Sequence, residues 1–418
     1  MTQPVVEAPG GYDVAAVRAQ FPALAAGAAH FDGPGGTQVP RQVAEAVAAA
    51  MLAPTSNRGT LTAAARTAEA TVQGCRAALA DLLGADPSGV VLGRSATQLT
   101  FDVSRALAAT WTPGDEVVVT RLDHDANIRP WVLAAERVGA RVCWVGFDPA
   151  TGELAPEHLA PQLGDRTRLV ALPGASNLIG TRPDLPALTA LAHDAGALTW
   201  VDGVHLSAHA PVDVAALGAD LYVCSPYKFL GPHCGALAAA PALLERLHPD
   251  KLVPSSDAVP ERFELGTLPY ELMAGATAAV DFLAALAPGE ATALGRRAQL
   301  LASMAAVEAH EDRLRERLEA GLRDLPGVVL HSRAAHRTPT LLMTFPGLGP
   351  GAAGAAARHL AERGVNAPAG HFYALEASRH LGLGDAGGLR AGLAPYTDDA
   401  DVDRLLEGLA GFLAAAGA

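Results

Sequence analysis

Between residues 90 and 240, strand-like apolar runs alternate with helical stretches. Val90-Val91-Leu92, Glu116–Thr120, Leu169–Pro173, Leu198–Asp202 and Leu221–Cys224 each read as a short buried strand, and the segments between them carry helical spacing. Repeated strand–helix–strand units imply an α/β chain with a mainly parallel sheet covered by helices. Sheets of this kind bind ligands beyond the carboxyl ends of their strands. Chemistry-bearing residues are therefore expected just after the apolar runs.

Two such residues stand out. The run Leu221-Tyr222-Val223-Cys224 leads through Ser225-Pro226-Tyr227 to Lys228, in a chain where lysines are scarce. A lysine delivered from a buried strand to a loop sits partly out of water, which lowers its pKa and suits its amine to Schiff-base chemistry with a carbonyl cofactor. Upstream, Leu198-Thr199-Trp200-Val201 ends in Asp202. A carboxylate at a strand's carboxyl end pairs with a pyridinium nitrogen and keeps it protonated, the condition under which pyridoxal phosphate draws electrons. Taken together, Lys228 and Asp202 point to pyridoxal 5'-phosphate.

Other segments fit that reading. Ser95 is positioned to cap a helix opening at Ala96-Thr97, and a helix N-terminus flanked by hydroxyls is an anion site suited to a cofactor phosphate. Glu116–Thr120 opens on Asp123-His124-Asp125-Ala126-Asn127-Ile128-Arg129-Pro130-Trp131. The turn Phe31-Asp32-Gly33-Pro34-Gly35-Gly36-Thr37 is glycine-rich but lacks the GxGxxG spacing of a dinucleotide fingerprint.

The order of Ser176-Asn177, Val201-Asp202-Gly203 and Ser225 to Lys228 resembles the class V branch of fold-type I pyridoxal phosphate enzymes, and within it the cysteine desulfurases. The resemblance runs from Phe31-Asp32 to the Arg390 region. It implies a large cofactor-binding domain over residues 31–287, a smaller α+β domain over 288–418, and an N-terminal segment, 1–30, packed with the smaller one. It also implies roles. Lys228 holds the cofactor, and His124 stacks on its ring and exchanges protons. Asp202 pairs with the ring nitrogen, while Asn177 and His205 stand near the ring oxygen. Ala96, Thr97, Ser225 and Tyr227 meet the phosphate. Thr267 reaches the phosphate of a second subunit, so a homodimer with sites at the subunit interface is implied. Gly35, Arg58, Asn177, His371, Tyr373 and Arg390 lie toward substrate, with Arg390 suited to binding an α-carboxylate through its planar fork.

One departure stands against the desulfurase pattern. Those enzymes carry a mobile cysteine after a Gly-His pair, whereas here Gly370-His371 is followed by Phe372-Tyr373 and no cysteine occurs after Cys234. Elimination at Cβ, including C–S cleavage of cysteine or a cysteine S-conjugate, needs no enzyme thiol and is the expected reaction. Transamination, decarboxylative deamination or epimerisation on the same scaffold, desulfuration by a displaced thiol, and a non-catalytic dimeric scaffold are the alternatives.

Composition narrows the partners. A net charge of -13 with no basic run argues against nucleic acid and anionic membranes. No apolar stretch approaches a spanning length, and Met1-Thr2-Gln3-Pro4 does not begin a basic-then-apolar leader, so a cytoplasmic enzyme acting on a small amino acid is expected. Cys75, Cys143, Cys224 and Cys234 lack metal-site or disulfide spacing and read as reduced core thiols; no metal is expected. No GxSxG, P-loop or HExxH match favours a hydrolase or nucleotide enzyme.

Overall fold

A computed structural model describes residues 12–287 and 289–417. The first eleven residues of the expected N-terminal segment, and residue 288 at the expected domain boundary, lie outside the described residues.

The strands, in chain order, are β1 (Ala29–His30), β2 (Val90–Gly93), β3 (Glu116–Thr120), β4 (Arg141–Val145), β5 (Thr167–Pro173), β6 (Leu198–Asp202), β7 (Leu221–Cys224), β8 (Gly235–Ala239), β9 (Val329–Leu330), β10 (Thr340–Thr344), β11 (Val365–Asn366), β12 (Ala369–Gly370) and β13 (Gly388–Gly392). Seven of them form one sheet in the order β2-β8-β7-β6-β5-β3-β4. Neighbours from β7 to β4 run parallel, and β8 alone is antiparallel to both its neighbours. The chain is thus α/β with a mainly parallel sheet, as the alternating pattern requires.

Alternate side chains of these strands enter two different cores. Val118, Val170, Leu172, Val201 and Tyr222 pack on one face. On the other lie Val117, Val119, Leu169, Ala171, Trp200 and Val223. A sheet buried on both faces has no solvated side to mark with polar residues, which is why its strands read as continuous apolar runs. Each fully buried Val or Leu contributes about 1.5–3 kcal/mol relative to exposure, so a polar replacement in these runs is costly.

A second sheet, β12-β13-β10-β9, is antiparallel. It forms an apolar core with the helices Arg296–Arg323, Ala352–Ala361 and Asp399–Ala416, through residues such as Leu314, Leu341, Leu360 and Leu405. β1 pairs parallel with β11, while Arg18 bonds Asp398 and Asp401, tying the described part of the N-terminal segment to the C-terminal helix. GxGxxG spacing does occur at Gly349–Gly354 and Gly382–Gly387, but within this antiparallel unit. Neither run follows a parallel strand of a βαβ unit, the context a dinucleotide fingerprint needs. Among the described residues no helix is long and apolar enough to cross a membrane.

Candidate active site

The carboxyl ends of β3, β5, β6 and β7 open onto a cavity that shares lining residues with a wider cleft toward the second sheet. The cavity gathers Ala96, Thr97, His124, Asn177, Asp202, His205, Ser225, Tyr227 and Lys228. The cleft adds Asp32, Gly35, Phe372, Tyr373 and Arg390.

Lys228 leaves β7 through the tight turn Pro226–Lys228. Its ammonium donates to the Pro34 carbonyl and stands 4.8 Å from the centre of the Tyr227 ring. Burial, with Arg390 nearby, lowers the amine's pKa from 10.5 to about 8; Asp32 and Asp202 oppose the shift. Asp202 ends β6 in register with Val223 of β7, so neighbouring parallel strands deliver the carboxyl and the amine to one rim. One Asp202 oxygen accepts from the Val204 amide at 2.9 Å. Burial raises its pKa to about 6, against the pull of that bond and of Lys228.

At the opposite end, Ser95 caps the helix Ala96–Ala108, its Oγ accepting from the Gln98 amide at 3.1 Å. Ala96 and Thr97 of this first turn line the cavity together with Ser225 and Tyr227, and a helix start leaves amides free to bind an anion. Close backbone approach matters here: a Cβ on Gly235 of β8 would lie 2.3 Å from the Ser95 carbonyl carbon, so only glycine lets that strand pass beneath the helix start. Tyr227 stacks at 4.6 Å on His233, which fixes its ring.

His124 accepts the Ala126 amide at Nδ1, 3.0 Å, which leaves the proton of the neutral ring on Nε2. Burial lowers its pKa to about 4, aided by Lys228 and Arg390, so it is neutral across the ordinary pH range. The loop carrying it is pinned from below. Asp123 accepts from Thr120 at 2.7 Å and Asn127 at 3.0 Å, and Trp131 donates to Asn127 at 3.2 Å. The Asn and Trp of that sequence motif therefore serve the loop's geometry, and Asp123, which sequence reasoning passed over, anchors it. Burial, with Asp202 close by, pushes the Asp123 carboxyl well above its usual range.

On the substrate side Arg390, buried on β13, pairs with Asp32 at 2.5 Å and donates to the Asn177 carbonyl at 3.0 Å. Its guanidinium lies 3.7 Å above the Phe372 ring. Asn177 Nδ2 donates to the Phe372 carbonyl at 2.9 Å, and the Asp125 amide to that of Tyr373 at 2.8 Å. These two bonds hold a turn in which Phe372 and Tyr373 both take positive φ, 50° and 60°, a conformation that costs non-glycine residues energy.

Three expected residues do not join this cavity within one chain. Arg58 is drawn away by carboxylates, pairing with Glu69 through two bonds at 2.8 and 2.9 Å and with Glu261 at 3.1 Å. Within one chain its donors are committed to this network, and it lines neither the cavity nor the cleft. Thr267 lines a separate small pocket with Arg94 and Gln98. His371 lies beside the cleft but does not line it.

The residues present fit the expected cofactor. Among the described residues, His205 Nδ1 and Asn177 Oδ1 are buried polar atoms without a partner, and both belong to cavity-lining residues. Buried polar groups are ordinarily satisfied, so a polar ligand is the natural complement. Asp202 offers its carboxyl where a cationic ring nitrogen would neutralise it, and the helix N-terminus offers amides to a dianion. A desolvated lysine, a buried carboxyl and a phosphate-suited helix start around one cavity define a Schiff-base enzyme of the pyridoxal phosphate class.

Comparison with known proteins gives the family. The model of class-V aminotransferases matches residues 29–405. Uncharacterized protein MT3887 of Mycobacterium tuberculosis is 35% identical over 404 residues, covering 96% of this chain and 99% of that one. Cysteine desulfurase CsdA of Escherichia coli is 30% identical over 420 residues, covering 94% and 96%. The crystal structure of CsdA in its S-sulfonic acid form superposes with a TM-score of 0.84 at 28% identity, covering 97% and 99%. The chain belongs to the class-V aminotransferase family. It is a pyridoxal 5'-phosphate-dependent enzyme of cysteine desulfurase-like fold.

Proposed function

We propose that the enzyme acts at Cα of an amino acid and releases a group from Cβ, most simply by C–S cleavage of cysteine or a cysteine S-conjugate, without an enzyme thiol. One observation carries the reading: Lys228 and Arg390 converge on the same cleft, while every cysteine is buried away from it. Pyridoxal phosphate, when bound, supplies the electron sink that makes the Cα–H bond acidic. Arg390 orients the substrate through its carboxylate. The neutral amine of Lys228 takes the Cα proton and is then placed to return a proton as the Cβ–S electron pair departs with sulfur. His124, neutral with its proton on Nε2, is the second donor at the ring face.

Desulfuration through a displaced thiol is the competing reading. It calls on Cys234, yet burial pushes that thiol up to about 12, the opposite of what a nucleophilic thiolate requires. The test is product analysis by mass spectrometry across cysteine, cysteine S-conjugates and other amino acids, with alkylation to trap persulfide. Free thiol or sulfide with no protein persulfide supports elimination; stoichiometric persulfide on a cysteine overturns it.

The reading includes a homodimer. It rests on the likeness to the class-V family, whose members the chain resembles along nearly its whole length. Thr267 is then the residue that reaches the second subunit's phosphate.

A further inference from the structure

His205 is only 3% exposed, and its two ring nitrogens have unlike surroundings. Nε2 lies 2.9 Å from Thr338 Oγ1 and 3.0 Å from Thr340 Oγ1, while Nδ1 has no partner among the described residues and its residue lines the cavity. The two threonines come from the other side of the molecule, at the start of β10 and two residues before it, where period-two alternation puts both on one face.

Counting protons, with the cavity at His205 counted as a place for one of them, sets the hydrogen-bond direction. Thr338 has a second partner, donating to the Gly180 carbonyl at 3.3 Å. Thr340, fully buried, has His205 Nε2 as the sole side-chain partner of its hydroxyl among the described residues. If Nε2 carried the ring proton, it would point at two hydroxyl oxygens and the Thr340 proton would have no acceptor. If Nε2 is the lone pair, Thr340 donates to it and Thr338 donates to Gly180, and the one proton left over, on Nδ1, belongs to a residue that lines the cavity, where a ligand oxygen would accept it.

We infer that Thr340, seconded by Thr338, is a positioning residue that holds His205 as the Nδ1–H tautomer, so that the ring presents a donor to the phenolic oxygen of the cofactor. The ring is neutral as well as oriented. Burial keeps the His205 pKa well below 6.5, and the groups facing it, His209, Lys228 and Arg390, all push the same way. His209 stands edge-on at 4.7 Å and is itself bonded through Nδ1 to the buried Glu311 at 2.9 Å, which fixes its ring. A neutral donor at that point stabilises the oxygen as an anion without adding a charge, and it ties cofactor electronics to a strand of the smaller sheet. The inference rests on the cofactor and not on which bond at Cα or Cβ is broken.

The test uses the full chain labelled with ¹⁵N-histidine, with and without pyridoxal phosphate, the His205 signals being assigned by their loss in His205→Gln. Wild-type protein should show a protonated Nδ1 and a bare Nε2. Thr340→Val, which keeps shape but removes the hydroxyl, should move the proton to Nε2. In the holoenzyme it should also raise the pH at which the visible band of the lysine-bound cofactor titrates, by about one unit. Thr340→Ser should restore both. Should Thr340→Val unfold, Thr340→Ser and the wild-type tautomer still decide. A wild-type Nε2–H tautomer, or an unchanged tautomer and band in folded Thr340→Val, overturns the inference. Neither spectral readout depends on turnover, so loss of the elimination reading would leave this test standing.

Discussion

Arg390 and Asp32 form an ion pair at 2.5 Å that joins a buried guanidinium to a carboxylate whose side chain is 44% exposed. The pair joins the strand β13 to the glycine-rich turn, and it occupies one nitrogen of the fork that an incoming α-carboxylate needs. Asp32 therefore competes with substrate for Arg390. Asp32→Asn should tighten binding of a carboxylate-bearing substrate analogue several-fold while lowering stability by about 1–2 kcal/mol, the loss being moderated by solvent around Asp32. Arg390→Lys, which cannot bind a carboxylate through two parallel bonds, should weaken the same analogue tenfold or more. Calorimetric titration checks both, and unchanged affinity in Asp32→Asn would remove the competition.

The lowered pKa of Lys228 has a kinetic signature. Only the neutral amine adds to an aldehyde, and the group is protonated below about 8 and neutral above it, where an ordinary lysine is still protonated up to 10.5. Capture of pyridoxal phosphate by cofactor-free protein should accelerate as pH rises through 8 and level off above it. Stopped-flow absorbance gives the profile. Borohydride reduction and peptide mapping should then put the label on Lys228 and not on Lys251. An inflection near 10, or label on Lys251, would show that the amine has been misassigned.

What could be read from the chain follows from how local each signal is. Lys228, Asp202 and His124 announce themselves because a parallel strand exposes its chemistry at one end, and the end is marked by where an apolar run stops. Arg390 was visible as an arginine, but its partner Asp32 lies 358 residues away and nothing local couples them. The same holds for His205 and its threonines, 133 and 135 residues distant. Arg58 lies in a segment that resembles a site segment, and the glutamates that pair with it in one chain come from a neighbouring helix and from residue 261. Pairings of this kind are set by packing, which a single sequence does not spell out.

Shared construction of the site has its own test. If Thr267 reaches the second subunit, Thr267→Ala should weaken cofactor retention although the residue stands apart from the cavity of its own chain. Mixing Thr267→Ala with Lys228→Ala subunits should then give activities that depart from the average of the parents, because one mixed site receives both changes and the other neither. Sedimentation should find a dimer; a fully active monomer would sink this arrangement.

The four thiols separate elimination from desulfuration. Cys75, Cys143, Cys224 and Cys234 are all free and buried. Burial is the leading cause that raises the pKa of each, and at Cys75 and Cys224 the neighbouring thiols add to it. Such groups pack as small apolar side chains and hold little thiolate at neutral pH. Replacing each by alanine removes buried volume and should cost about 1–3 kcal/mol per site, read as a lower thermal midpoint. Turnover per folded, cofactor-loaded enzyme should nevertheless stay within a few-fold of wild type in every single variant, because no thiol lines the cavity or the cleft. Lys228→Ala should abolish turnover while leaving the midpoint of the cofactor-free protein nearly unchanged, since it removes the amine and not a packing element. The opposite pattern at Cys234, with activity lost and stability kept in Cys234→Ala, would transfer the sulfur chemistry to that residue and return the enzyme to desulfuration.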